Sequence, residues 1–272
     1  MKSEKYYYPK GGVSPQSEIV AQKAVFKNAY VLIPKAVMQD IVVSYFPEWT
    51  RTRAWVLARP MSGFSETFSQ SILEVLPGGG SKKPECDARV ESVIFVLDGE
   101  LEVKFGGEKH LITSGSFLYN PPGSNWEINN ISNKPARFQW IRKVYMFVDG
   151  IEKPDAFLKN EADIEPDSIS GSDGVWSTTR FVDPLDMKHD MHVNIVNLKP
   201  GGVIPFMETH VMEHGIYILQ GKGVYRLNND WIEVEAGDFL WLRAFCPQAC
   251  YAGGPQVFRY LLYKDVNRQM PL

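Results

Sequence analysis

One strand–turn–strand pattern occurs twice in this chain at a constant interval, and that duplication constrains the fold more than any other feature. Ser92-Val-Ile-Phe-Val-Leu97, the turn Asp98-Gly99 and Glu100-Leu-Glu-Val-Lys-Phe105 read as one hairpin; Gly215-Ile-Tyr-Ile-Leu219, Gln220-Gly221 and Lys222-Gly-Val-Tyr-Arg-Leu227 repeat it 122 residues later. Gly99 to Gly115 spans the same interval as Gly221 to Gly237, and each second glycine precedes another apolar run, Ser116-Phe-Leu-Tyr119 or Asp238-Phe-Leu-Trp241. Short runs of Val, Ile, Phe, Tyr and Trp between Gly, Pro and Asn/Asp turns are the pattern of an all-β sandwich or barrel. Two landmarks sharing one offset predict two similar β-domains in tandem.

The chemistry concentrates in the second copy. Residues 208–214 read Glu208-Thr-His210-Val-Met-Glu213-His214, and Gln248 follows 34 residues after the last histidine. In an extended strand Glu208, His210 and His214 face one way and Glu213 the other. Glu208, His210, His214 and Gln248 are therefore the expected ligands of a divalent metal, an imidazole and oxygen set that suits Mn, Fe, Co, Ni or Zn. The offset of 122 puts Cys86, Ala88 and Ser92 where the second copy has Glu208, His210 and His214, so the first barrel is expected to be metal-free. Glu91, the counterpart of Glu213, survives where the ligand positions have been lost, which points to a structural role for both glutamates.

Farther along, Tyr260 and Lys264 share a parity in Phe258-Arg-Tyr260-Leu-Leu-Tyr263-Lys264, and a lysine facing a barrel interior needs an anionic partner such as a substrate carboxylate. Tyr225 reads either as a core aromatic or as a donor to ligand. Asp190, His192 and Asn194 alternate upstream and are candidates to line the same cavity, though His189 and His192 equally suit a surface turn.

Composition excludes several classes of partner. The net charge is −3, with no Lys/Arg run for nucleic acid or a membrane surface and no apolar stretch of spanning length. The three cysteines, Cys86, Cys246 and Cys250, are an odd count without paired spacing, which fits free thiols and a cytoplasmic protein. Cys246 and Cys250 flank Gln248 at two residues on either side and would share its strand face. The expected organisation is an arm over residues 1–60 contributing strands, a first barrel over 61–150, a polar connection over 151–178 and a metal-binding barrel over 179–272.

With these motifs in hand, the spacing resembles the two motifs of cupins. Glu208-x-His210, three residues, His214, six residues and Gly221 fill the first with permuted ligand types, and Gln248 falls on the histidine position of the second. Gly115-x5-Pro121-x-Gly123 fits the second motif in the first half, where Trp126 takes the histidine position. The resemblance implies a bicupin, two tandem double-stranded β-helix (jelly-roll) barrels. More closely, Glu208 to Tyr225, then Gln248, Tyr260 and Lys264-Asp265-x-Asn267-Arg268, resemble the (S)-ureidoglycine aminohydrolases, bicupins also called glyoxylate-induced proteins. That family implies Mn²⁺, release of ammonia from (S)-ureidoglycine in purine (allantoin) catabolism, and assembly into homo-oligomers. It also implies Tyr225, Tyr260 and Lys264 as substrate contacts. The alternatives are a metal-dependent bicupin dioxygenase or decarboxylase, against which Gln248 argues because those enzymes normally use three histidines and one glutamate, and a ligand-binding bicupin without catalysis.

Overall fold

The protein is described by a computed structural model covering residues 6–9, 24–38 and 43–265. Asn267 and Arg268, like the start of the apolar run at Asp40, lie outside the described residues. The repeat is carried through strand by strand. In the first half β6 (Val90–Asp98), β7 (Glu100–Phe105), β8 (Glu108–Thr113), β9 (Ser116–Asn120), β10 (Trp126–Asn129) and β11 (Ala136–Val144) follow one another. In the second, β16 (His214–Gln220), β17 (Lys222–Leu227), β18 (Asp230–Glu235), β19 (Phe239–Leu242), β20 (Gln248–Ala252) and β21 (Phe258–Asp265) follow in the same order. The glycine that ends each first strand explains the shared turn. Gly99 and Gly221 have φ of 82° and 77°, and a Cβ on either would lie 2.7 Å from Ala136 Cα or 2.5 Å from Val257 O.

Each half is closed by strands that precede its hairpin. β5 (Phe68–Ser81) and β4 (Thr50–Ala58), with β3 (Val43–Ser44), join the first barrel; β15 (Met191–Leu198), β14 (Trp176–Arg180) and β13 (Asp167–Ser168) join the second. The sheet of the second barrel runs β1 (Val25–Phe26), β2 (Tyr30–Ile33), β19, β16, β21, β15, β14, β13, and β18-β17-β20 forms its other wall. In the first barrel β12 (Phe157–Asn160) pairs with β9.

The edge strands are thus exchanged. β2, from the N-terminal arm, covers the β19 edge of the second barrel, whereas β12, from the segment after the first barrel, covers the β9 edge of the first. This redraws two boundaries. Residues 151–178 are no mere connection, because they supply β12 to one barrel and β13 with the start of β14 to the other. The first barrel begins before residue 61, since β4 pairs with β5 along most of its length. The short β12 and β13 hid the first fact from the sequence, and the charged, alternating start of β4, Thr50-Arg-Thr-Arg53, hid the second.

Alternation along the central strands divides the apolar residues among three cores. Ile94, Val96, Phe138, Trp126 and Trp140 fill the first barrel, and Ile216, Ile218, Tyr225, Leu227 and Tyr260 pack in the second. The opposite faces, with Val93, Phe95, Phe117, Phe181, Tyr217, Phe239 and Tyr263, form a single core between the barrels. Strands β6 and β16 are buried on both faces, which is why they read as unbroken apolar runs instead of alternating ones. Among the described residues no helix is long and apolar enough to cross a membrane.

Candidate active site

The second barrel holds a cavity of about 180 Å³ whose wall includes Glu208, His210, His214, Gln248, Tyr260, Lys264 and Asn194. Three neighbouring strands place the cationic and imidazole groups. His214 on β16 and His192 on β15 both sit directly opposite Lys264 on β21, giving a row of three across the sheet. Glu208 is delivered differently. The 208–213 segment is a loop, with strand β16 starting only at His214, so the extended-strand parity expected for Glu208, His210 and His214 does not hold there. What fixes Glu208 is an isolated bridge: its N–H donates to Gln248 O at 2.8 Å, and Gln248 N–H donates back to Glu208 O at 2.9 Å. Those two side chains therefore emerge as neighbours.

The ligand types meet as pairs. Glu208 Oε2 lies 3.4 Å from His210 Nε2, and the His210 and His214 rings are 5.1 Å apart between centroids. Among the described residues no three His, Cys, Asp or Glu side chains close into a ready-made metal cage. The set nonetheless fits a divalent ion. Among the described residues His214 Nδ1 is buried without a side-chain partner, and burial, opposed by the Glu213 backbone, pushes the His214 imidazole down to about 4, which keeps it neutral with a lone pair to offer.

Glu213 points elsewhere, as expected from the empty copy. Its carboxylate accepts from Glu66 N, Thr67 N, Thr67 Oγ1 and Trp241 Nε1, tying the loop beside the ligands to the segment that leads into β5. Glu91 has the matching arrangement in the first barrel, accepting from Tyr119 Oη at 2.6 Å, and Tyr119 is the counterpart of Trp241. The interior of that barrel is filled instead of ligating. Trp49, Phe138 and Trp140 cluster with centroids 5.4 and 6.1 Å apart, Trp126 joins them at 6.4 Å, and Arg142, in the place of Lys264, is taken up by Glu85 at 2.6 Å.

Lys264 has no ion pair among the described residues. Burial lowers its pKa, the nearby Arg180 charge lowers it further and Glu208 opposes them. Tyr260 lines the cavity. Tyr225 is wholly buried but off the cavity wall, with its ring 6.0 Å from that of Tyr260 and its hydroxyl beside Cys250. Burial raises both phenols well above their ordinary value, so they are hydrogen-bond donors and not bases. Cys250 is pushed up to about 12 and Cys246 to about 11, also chiefly by burial, which leaves them as protonated core thiols.

Of the upstream trio, Asn194 alone reaches the wall. Asp190 is a correction: Lys143 Nζ and Met146 N donate to its carboxylate at 2.6 and 2.7 Å, so it joins the two barrels and does not line the cavity. His192 stands next to Lys264 without forming part of the wall, and burial with the Lys264 charge lowers it to about 4. His189 is buried too, edge-on to Tyr119 with centroids 4.8 Å apart, and is no surface residue. The sequence reading missed Arg180, Thr178 and Trp176, which form one end of the cavity from β14. The 122-residue offset gave no signal for them, because the register places Arg180 opposite Asn194 as Val56 lies opposite Ser71, an interval of 124.

A larger cleft of about 610 Å³, bounded by Thr67, Glu213, Trp241, Arg243 and Cys246, opens on the other side of the 208–213 loop. It holds none of the converging histidines, which line the smaller cavity.

Comparison with known proteins agrees with this geometry. Residues 71–142 and 194–262 each match the cupin domain family. The chain is 30% identical over 260 residues to the (S)-ureidoglycine aminohydrolase of Escherichia coli K12, covering 94% of this chain and 96% of that protein. The crystal structure of a glyoxylate-induced protein from Pseudomonas aeruginosa superimposes with a TM-score of 0.93 at 58% identity over 98% of each chain. Protein Ylba from E. coli superimposes at 0.80 with 27% identity, over 95% of this chain and 100% of its own. With cupin matches in both halves and a named relative aligned along nearly its whole length, the chain belongs to the (S)-ureidoglycine aminohydrolase family of two-domain cupins.

Proposed function

We propose that the chain hydrolyses (S)-ureidoglycine to (S)-ureidoglycolate and ammonia, with a divalent metal, Mn²⁺ by family likeness, held by Glu208, His210, His214 and Gln248. The observation that carries the reading is that these four side chains share one small cavity with a half-buried cation, Lys264, that has no ion pair among the described residues. The donor set supports a metal through its neutral His214 and the Nδ1 of that ring, which has no side-chain partner among the described residues. A divalent ion there would supply Lewis acidity toward the amine or a water, the more so because neutral Gln248 leaves it more positive than a second carboxylate would.

The remaining roles belong to the chain. Lys264 pairs with the substrate carboxylate, whose charge offsets the cost of burying the ammonium. Tyr260 Oη keeps its proton and donates it in a hydrogen bond that orients the reacting carbon, while Tyr225 and Cys250 pack behind Tyr260 and hold its ring. The cavity is narrow, and Ile204, Ile216 and Leu262 in its wall limit water to the positions that the polar groups define. In the overall reaction the C–N bond to the amino group breaks, water supplies the hydroxyl of the product, and the amine leaves as ammonia. The step would then belong to allantoin degradation.

Metal removal tests the proposal. Chelated protein should lose ammonia release from ureidoglycine above the spontaneous rate, and adding Mn²⁺ back should restore it. Turnover that survives complete removal of metal contradicts the assignment.

A further inference from the structure

(S)-Ureidoglycine carries an amino group, a carboxylate and a ureido group on one carbon, and the residues named so far meet only the first two. We infer that Asn194 and Arg180 form the subsite that recognises the ureido group; the inference rests on the ureidoglycine reading above. Asn194 is 3% exposed and lines the cavity, yet among the described residues its side-chain amide has no hydrogen-bond partner. Its amide atoms open on the cavity, so its donors and acceptor are met by what fills that space, water or ligand. Arg180 lies directly across from it in the β14–β15 pair and lines the same end. Exposed Asp167 Oδ2 sits 3.2 Å from Arg180 Nε, on one edge of the guanidinium, and the terminal nitrogens have no ion-pair partner among the described residues.

Distance assigns the two cationic side chains to different groups. Strands β16, β21, β15 and β14 lie side by side in that order, at a spacing of about 4.8 Å each. Lys264 is thus one strand from the ligand His214, Asn194 two and Arg180 three. In the substrate the carboxylate is bonded to the reacting carbon itself, whereas the ureido carbonyl lies one nitrogen farther out. The nearer cation takes the carboxylate and the farther pair takes the ureido group. Arg180 Nη–H donates to the ureido carbonyl, and the terminal ureido NH₂ donates to Asn194 Oδ1. An acetyl group in that place offers no N–H to Asn194 Oδ1, so the pair favours a carbamoyl group over an acyl one.

The test measures binding of two inert probes to metal-loaded protein by calorimetry. N-carbamoylglycine has the ureido and carboxylate groups without the amino leaving group; N-acetylglycine replaces its terminal NH₂ with methyl. Wild type should prefer the carbamoyl probe by about tenfold or more, because a site built to bond an N–H rejects the analogue lacking it. Asn194→Leu should bring that ratio close to one with little change in N-acetylglycine affinity, and Arg180→Gln should weaken both probes about tenfold, with Arg180→Lys recovering only part. Lys264→Met should weaken both and leave the ratio intact. Asn194→Ser repeats the test should the leucine variant fail to fold, with metal content as the control for an intact site. A wild type that binds neither probe or does not distinguish them, or a ratio unchanged in both Asn194 variants, overturns the inference. Ammonia release is scored separately: discrimination without turnover removes the reaction and keeps the subsite, and turnover without discrimination does the reverse.

Discussion

Glu208 and Glu213 lie five residues apart and do opposite work. The Glu208 backbone is pinned to Gln248 and its carboxylate faces the histidines, whereas the Glu213 carboxylate is consumed by four donors from Glu66, Thr67 and Trp241. Glu208→Gln should therefore lose metal in elemental analysis, and Glu213→Gln should keep its metal while losing about 1–3 kcal/mol of stability from stranded donors. Equal metal loss in the two variants would contradict this division. Lys264→Met should raise KM for a carboxylate substrate by about one to two orders of magnitude, the worth of one charge-assisted contact, at unchanged metal content. Steady-state kinetics within twofold of wild type would place Lys264 outside the binding step. That Glu208, His210, His214 and Gln248 would share one cavity was legible in the sequence through their types and the duplication, although the parity argument reached Glu208 by the wrong route. A loop and a single bridge, not an extended strand, bring it to the site, and nothing local in Thr209 to Met212 signals that bridge. Asp190 was misassigned because its partner, Lys143, comes from the other barrel and is invisible to strand parity.

At the level of strands, β15 and β21 carry a pH dependence of their own. His192 has its ordinary value of 6.5 lowered to about 4, with burial first among the causes and the adjacent Lys264 charge next. The folded state thus excludes a proton that the unfolded chain accepts. The stability that neutral His192 contributes is complete above pH 6.5 and is lost as pH falls from 6.5 towards 4, by up to about 3 kcal/mol. Urea unfolding of His192→Gln should show a shallower decline than wild type across that window; parallel curves would mean the imidazole is solvated. Strands β6 and β16 were readable as buried on both faces because their apolar runs are unbroken. β12, β13 and β14 were not, since Phe157-Leu-Lys-Asn160 and Trp176-Ser-Thr-Thr-Arg180 are short and half polar, and their strand character comes from pairing to a preformed edge.

On the scale of the whole molecule, duplication has left one barrel with chemistry and one with an aromatic filling, joined by exchanged edge strands and a common core. Their interface includes a buried charge pair, Lys143 to Asp190 at 2.6 Å, close to Glu91. Lys143→Met should cost about 3–5 kcal/mol near neutral pH by leaving the Asp190 carboxylate uncompensated, and less in acid, where that carboxylate takes up a proton. Thermal melts of this variant at pH 7 and pH 5 check the sign; an unchanged melting temperature at pH 7 would show that the pair does not hold the barrels together. The two-barrel plan was legible from the 122-residue interval between Gly99 and Gly221, but the strand exchange was not, because either barrel could in principle have received β2.

A metal-dependent hydrolysis of ureidoglycine in the second barrel would be one-sided. A metal and fixed donors on one face of the reacting carbon make its two faces inequivalent, whereas spontaneous hydrolysis has no such bias. Chiral chromatography of the ureidoglycolate formed by Mn²⁺-loaded protein, against an enzyme-free control, measures this directly. A single enantiomer, the (S) form, is expected, produced faster than in the control. Racemic product at the spontaneous rate, from protein verified to hold its metal, would contradict it.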